Sequence, residues 1–206
     1  MQNTSNNNKR LHTFSPREII PLQSDCFWLL KQGVVKTCTW NEEGTAITLG
    51  YWGSGDVVGQ PLSLVSPYQI ECLNLVEAVS IPIRQCDWLS DSIRSHIQQT
   101  EELLYIVRSE RMYHRLLKIL IWLARKFGRE VERGKLIDLP LTHQELAEII
   151  GTTRVTVTKL INQLEQEGAI VRPRRNFIVL KPKLLQRKTP ESEVKPFRGH
   201  VVENHP

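Results

Sequence analysis

Between Leu141 and Leu164 the chain carries hydroxyls, cations and apolar side chains at the spacing needed to read a DNA groove. Thr142 is a good helix N-cap, and Glu145 three residues later completes a capping box that satisfies two orphan backbone donors. Leu146, Ile149 and Ile150 recur at helical spacing, and Gly151 supplies the left-handed residue a tight turn requires. Thr152 or Thr153 can cap a second helix. In that helix Val157, Leu160, Ile161 and Leu164 face inward, leaving Arg154, Val155, Thr158 and Lys159 outward on the N-terminal half. Such a face enters a major groove, so the candidate DNA contacts here are Thr142, His143, Thr152, Thr153, Arg154, Val155, Thr156, Thr158 and Lys159. A plain pair of amphipathic helices would explain the apolar spacing but not the polar and cationic outer face. For His143, in the first turn of the first helix, a phosphate contact competes with a plain surface role.

The next segment extends the motif. Gly168 ends the second helix, Ala169–Val171 is strand-like, and Arg172-Pro173-Arg174-Arg175-Asn176 turns into Phe177–Leu180. This predicts a β-wing whose Arg172, Arg174 and Arg175 lie beside the phosphate backbone, where cations release condensed counterions and supply sequence-independent affinity.

Charge is distributed to match. The chain has 206 residues and a net charge of +5. Residues 1–110 hold 8 Lys+Arg against 12 Asp+Glu, whereas residues 111–188 hold 17 against 7. A mildly acidic first part before a strongly basic second part argues for a nucleic-acid-facing domain behind one with another task. An anionic membrane surface would also attract the basic part. However, no apolar run approaches the ~18 residues of a membrane span, and the polar Met1–Asn8 lacks the apolar core of a signal peptide, so a cytoplasmic location without membrane contact is expected. Cys26, Cys38, Cys72 and Cys86 are separated by 12, 34 and 14 positions and show no metal-ligand spacing. They are expected to be reduced and mostly buried, with a redox pair or an iron–sulfur site as competing readings. No metal or cofactor is expected.

The elements that must position the motif come before it. Cys26–Leu30, Val34–Trp40, Thr45–Trp52, Ile70–Ala78 and Val79–Ile83 read as short antiparallel strands broken by glycine-rich corners, which a small β-roll would bury. From Leu89 the pattern turns helical. Asp91 is the expected N-cap, and Ile93, Ile97, Leu104 and Val107 form one apolar stripe that either pairs with its own copy or packs on the roll. After a break at Ser109–Met112, the expected hinge, a second helix carries Leu116, Leu117, Leu120, Leu123, Ala124 and Phe127.

The whole order resembles the CRP/FNR superfamily of bacterial transcription regulators, over roughly residues 17–182. The segment Leu141–Gln144 with Gly151–Leu160 is similar to the nitrogen-control and nutrient-assimilation branch, and Leu29-x-x-x-Gly33-x-Val35 and Gly55-Asp56-x-x-Gly59 fit the roll. The resemblance implies an α+β chain. Its parts would be a flexible N-terminus (1–16), an antiparallel β-roll of cupin-like jelly-roll form (17–90), a long dimerisation helix and hinge (91–110), a winged helix-turn-helix (111–182) and a flexible tail (183–206). It further implies a homodimer on a palindromic operator in double-stranded DNA, acting with RNA polymerase, as an activator of nitrogen or sulfate uptake. Arg154 and Lys159 match the family's base-contacting cations, while Val155 stands where the cyclic-AMP receptor branch has a glutamate.

The sensor half departs from that pattern. Gln60 and Ile70-Glu71 occupy the places where cyclic-nucleotide members hold ribose and phosphate, so a phosphate would meet a carboxylate and no arginine, and no cyclic-AMP binding is expected. The 2-oxoglutarate-gripping arginines of the nitrogen-control branch also have no match: the loop Pro67–Ile70 is uncharged and Glu110 stands near the hinge. The effector is an unidentified small molecule, a partner protein, or none. The competing class is an enzyme or ligand-binding protein that uses its basic domain for another purpose. No phosphate loop, metal spacing or nucleophile elbow supports it, and no enzyme activity is expected.

Overall fold

The computed structural model describes residues 10–185. The N-terminal part is built from β1 (Leu11–Phe14), β2 (Cys26–Gln32), β3 (Val35–Trp40), β4 (Ala46–Trp52), β5 (Val57–Val58), β6 (Gln69–Cys72) and β7 (Val76–Pro82). They form two sheets, ordered β1-β7-β2-β5 and β4-β3-β6, with every pairing antiparallel. Between the sheets lie Phe14, Trp28, Leu30, Val35, Trp52, Ile70 and Val76. The opposite face of the first sheet, with Phe27, Leu29, Val79 and Ile81, is covered by Leu89 and Ile93. This double burial is why β2 reads as an unbroken apolar run rather than an alternating one.

The long helix α1 (Ser90–Val107) leads to α2 (Met112–Phe127). Then come β8 (Gly128–Val131), β9 (Gly134–Ile137), α3 (His143–Ile150), α4 (Arg154–Gln166), β10 (Ile170–Arg174), β11 (Phe177–Leu180) and α5 (Pro182–Leu185). Four of these strands make a third sheet, β10-β11-β9-β8. One apolar core runs from Leu103 and Ile106 of α1 through Leu116, Leu120 and Leu123 of α2 to Leu146, Ile161 and Ile178.

Several expectations are corrected. Leu11–Phe14, placed by sequence in a flexible N-terminus, is a strand in register with β7, and Phe14 is buried in the roll. A short polar run of this kind becomes a strand only because an edge awaits it. Residues 1–9 lie outside the described residues. The expected continuous strand Ile70–Ala78 is interrupted at residues 73–75, where Asn74 Oδ1 accepts from Val34 N–H at 2.7 Å. Helix α1 begins at Ser90 with Leu89 at the cap. Asp91 therefore sits inside the first turn, paired with Arg94, rather than capping the helix. The expected stripe is not the face that meets the core: Ile93 and Val107 are only half-buried, Ile97 and Leu104 are 56% and 54% exposed, and the buried positions are Leu103 and Ile106, which the stripe does not include. The β8–β9 hairpin is an addition to the expected elements, and it joins the wing sheet through β9 and β11. At the far end Leu184 is buried within α5, so the expected flexible tail does not begin at residue 183. Its remainder, from 186 on, lies outside the described residues.

Two polar junctions hold the roll against the rest. Lys126, at the end of α2, reaches Asp56 Oδ2 at 2.7 Å and Tyr51 O at 2.8 Å, and it also donates to Gln99 Oε1. The rings of Trp52, Phe127 and Trp122 lie 4.9, 5.2 and 5.4 Å from its ammonium. Burial lowers the Lys126 pKa against the opposing pull of Asp56. Asp56 in turn accepts from Gly53 N–H at 2.7 Å and from Gln99 Nε2 at 2.8 Å. In the second junction Lys36 of β3 stands 3.2 Å from Glu71 and 4.0 Å from Glu148 of α3. Nearby, Tyr51 is fully buried, its phenol pKa raised by burial and by Glu145 and Glu148.

Breaking such a pair from one side strands a buried charge. Lys126→Met is expected to cost about 3–5 kcal/mol by leaving Asp56 uncompensated. The double variant with Asp56→Asn should recover most of that loss, as read from chemical denaturation of the four proteins of the cycle.

Candidate nucleic-acid interface

The motif region forms by local rules. Thr142 takes extended backbone, its Oγ1 accepts from Glu145 N–H at 3.1 Å, and Glu145 Oε2 accepts from Thr142 N–H at 2.7 Å. The capping box is complete. Helix α3 ends at Gly151 with φ 68° and ψ 53°, where a Cβ would meet open space but the backbone would be strained. Thr153, not Thr152, caps α4, accepting from Thr156 N–H at 3.2 Å. Val157, Ile161 and Leu164 are fully buried and Leu160 partly so, which turns Arg154, Val155 and Lys159 out to solvent.

At its tip the wing is tied to the segment before α3 by a backbone bond, Leu141 N–H donating to Asn176 O at 2.8 Å. Strand β10 runs further than expected, to Arg174, so the turn itself is only Arg175-Asn176, with Asn176 left-handed at φ 64°. A concavity of about 610 Å³ results, lined by His143, Gln144, Arg154, Arg174, Arg175 and Asn176, with Thr142 and Arg172 at its wall. It carries four guanidinium groups. It is the shape and sign of surface that receives a phosphate strand beside a groove.

The candidate residues come together, but not all in one role. Thr142 and Thr153 use their hydroxyls in caps, Thr156 Oγ1 bonds Thr153 Oγ1 at 3.0 Å, and Thr158 Oγ1 donates to Arg154 O at 2.9 Å while meeting His143 Nδ1 at 2.8 Å. Arg172 is committed to the protein: its Nε donates to Glu165 Oε2 at 3.0 Å and its Nη2 to Asn162 Oδ1 at 3.0 Å. Those hydrogen bonds also lower the Glu165 pKa. Arg172 thus pins β10 to α4 rather than projecting as free as Arg175. Arg174 lies 3.9 Å over the Phe177 ring, which holds its guanidinium in a defined place. Val155, 64% exposed at the front of α4, is an apolar side chain aimed at solvent. Two residues absent from the sequence-based set, Gln144 and Asn176, also line the concavity. Gln144 is legible as the neighbour of His143 in the first turn; the carbonyl of Asn176 is not, because its partner Leu141 is distant in sequence.

Comparison with known proteins agrees with this geometry. Residues 110–188 match the Crp-like helix-turn-helix domain. The chain is 41% identical to the regulatory protein CysR of Synechococcus elongatus, over 82% of this chain and 83% of that one. It belongs to the CRP/FNR family of transcription regulators. A global nitrogen regulator of Nostoc is 34% identical over 79% of each chain. A solved CRP/FNR-family regulator from Thermus thermophilus superposes with a TM-score of 0.70 at 24% identity, covering 85% of this chain and 98% of that chain, a likeness of fold.

The residues that sequence comparison sets against the cyclic-nucleotide contacts are engaged within the fold. Gln60 Nε2 donates to Ser63 O at 3.1 Å, Ile70 is fully buried, and Glu71 is the partner of Lys36. The cysteines are free thiols, Cys38 and Cys72 buried, and burial pushes Cys72 up to about 12. Such thiols are poor nucleophiles. Among the described residues no group of three or more His, Cys, Asp and Glu could hold a metal ion, and no helix is long and apolar enough to cross a membrane.

The αL turn between α3 and α4 has room for a side chain, but its backbone conformation strains any residue with a Cβ. Gly151→Ala should cost about 1–2 kcal/mol, seen as a lowered thermal midpoint with weakened DNA binding.

Proposed function

We propose that the chain is a dimeric, cytoplasmic, sequence-specific activator that binds a palindromic operator and controls nutrient-assimilation genes. The observation that carries this reading is the outward face of α4, with Arg154, Val155 and Lys159, beside an arginine-bearing wing that the Leu141–Asn176 bond ties to the segment before α3. Arg154 and Lys159 read the O6/N7 edge of guanine, and Val155 packs on a thymine methyl. Arg174 and Arg175 grip phosphate. Among the relatives are a regulatory protein CysR and a global nitrogen regulator, and the second supports nitrogen assimilation as the controlled theme, beside the sulfate uptake that the family resemblance also allows.

The dimer reading rests on α1. Ile97 and Leu104 lie seven residues apart on one side of the helix and more than half exposed, an apolar seam that a second copy would cover. A two-fold dimer sets the recognition helices about 34–36 Å apart, one helical turn of DNA. RNA polymerase is the partner that activation requires. With Ile70 buried and Glu71 paired to Lys36, the roll does not present a phosphate-binding arginine, and the effector is a ligand of another class, a partner protein, or none.

The deciding experiment is selection of genomic fragments by the purified full chain at about 0.15 M salt, followed by sequencing. A two-fold palindrome upstream of a few operons is expected; enrichment without sequence preference would refute base reading by α4. Arg154→Ala should relax preference at one position per half-site, costing about 1–3 kcal/mol. Arg175→Ala should weaken binding to all DNA and lower the salt slope by about one for each phosphate it no longer neutralises. Ile97→Glu should turn the dimer into monomer in sedimentation and abolish operator binding while leaving the fold, seen by circular dichroism, intact.

A further inference from the structure

The contacts around His143 point to one tautomer, assigned from where the Thr158 hydroxyl hydrogen is placed. Thr158 Oγ1 has a single hydrogen, and it is given to Arg154 O at 2.9 Å. Toward His143 Nδ1, 2.8 Å away, the same oxygen can only accept. Nδ1 therefore carries the ring's hydrogen in the neutral state. Protonation leaves this bond unchanged and alters Nε2 alone, from a lone pair to a second N–H donor.

We propose that His143 is a proton-coupled DNA contact: it is neutral in the free protein, takes up a proton when phosphates close on the α3–α4–wing concavity, and makes operator binding tighter as pH falls. The proposal rests on the DNA-binding reading and deepens it. Thr158 is then a positioning residue for the imidazole rather than a reader of bases.

The surroundings set the direction. Facing the ring are Arg154 at the start of α4 and Arg172 on β10, with Arg174 and Arg175 of the wing in the same concavity. The nearby carboxylates are engaged elsewhere: Glu165 by Arg172, Glu145 in the Thr142 cap, and Glu148 by Gln144 at 3.2 Å and Lys36 at 4.0 Å. Burial, then the charges of Arg172 and Arg154, hold the imidazole below its ordinary 6.5. DNA reverses each electrostatic contribution, because its phosphates neutralise the guanidiniums and add negative potential at the ring. A protonated Nε2–H then donates a charge-assisted bond to a phosphate oxygen.

Linkage fixes the sign. A group whose pKa is higher in the complex than in the free protein binds a proton on association, so the complex is favoured at low pH. Affinity falls as pH rises between the free-protein value, below 6.5, and the DNA-bound value, by at most about tenfold per pH unit for each histidine engaged. Above that window and below it affinity is flat with respect to this group.

The test uses the full chain and the palindrome recovered by selection. Dissociation constants are measured by fluorescence anisotropy at constant ionic strength, across a pH range spanning the histidine titration. Calorimetry in buffers of different ionisation enthalpy then counts protons taken up. The expected result is net proton uptake by the wild type and an affinity that declines as pH rises. His143→Gln should remove the pH-dependent part, and Thr158→Val should change the pH profile of His143 by removing its acceptor. Nitrogen NMR of the free protein should show the Nδ1–H tautomer. Specific binding without proton uptake, an unchanged pH profile in His143→Gln, or an Nε2–H tautomer would each overturn the proposal while leaving the regulator reading standing. Failure of the wild type to bind DNA specifically at any pH would instead overturn the regulator reading, and the proposal with it.

Discussion

The ammonium of Lys126 is the point on which the arrangement of the whole chain turns. It belongs to α2, the first helix of the basic part, yet its acceptors lie in the roll, at Asp56 and the Tyr51 carbonyl, and in α1, at Gln99. A lysine in so apolar a setting would ordinarily lose its proton. Asp56 opposes that, and the faces of Trp52, Trp122 and Phe127 supply the negative side of their quadrupoles where water would otherwise sit. Since the carboxylate is itself held by Gly53 N–H and Gln99, the direction of the lysine is dictated by three segments at once. An apolar contact at this place would tolerate sliding, whereas a hydrogen-bonded ion pair has one good geometry.

The second junction depends on the first. With α2 fixed at its C-terminal end, α3 is brought down on the second sheet of the roll, where Lys36 lies between Glu71 and Glu148 and Tyr51 fills the gap. At the other end of α2, Arg115 bonds the Ser109 carbonyl in the hinge at 2.5 Å and reaches the Ile150 carbonyl, the last residue of α3, at 3.4 Å. The C-terminal turn of α3 is thus tied twice: to the roll through Lys36 and Glu148, and to the α1–α2 link through Arg115. A displacement of β3 or of α1 has a direct mechanical path to the helix that precedes the recognition helix. These polar pairs lie alongside the apolar core that runs from Leu103 and Ile106 through α2 to Leu146 and Ile161.

How much of this is legible in the sequence depends on how local its physics is. The α3–turn–α4 unit can be read almost to the residue, with only the choice of Thr152 or Thr153 as cap left open, because its determinants, the Thr142–Glu145 box, the left-handed Gly151 and the α4 cap, all act within four positions. The strands of the roll are visible as apolar runs, but β1 is not, since Leu11–Phe14 acquires its conformation from β7, in a distant part of the chain. The β8–β9 hairpin is hidden for the same reason: Arg129 and Glu130 face solvent, and the strands are stabilised by β11 across the sheet. The stripe on α1 misses the core-facing side because periodicity gives a face without saying what lies against it. Leu103 and Ile106 take the inner side, and the equally periodic Ile97 and Leu104 are left outside.

The same distinction separates the residues of the interface. Sequence supplies a set of polar groups with the right spacing, and every hydroxyl in it looks like a potential contact to DNA. Structure shows that most of these hydroxyls are already saturated, since helix N-termini must satisfy their own backbone donors before anything else. Thr142, Thr153, Thr156 and Thr158 therefore shape the surface, and Arg172 attaches the wing to α4 through Glu165. The groups left to meet a ligand are the ones whose side chains have no role in the fold: Arg154, Val155, Lys159 and Arg175, with Arg174 steadied on Phe177. A guanidinium or ammonium in water loses little by remaining exposed, whereas Val155 loses something, and in the proposed complex an apolar thymine methyl would cover it.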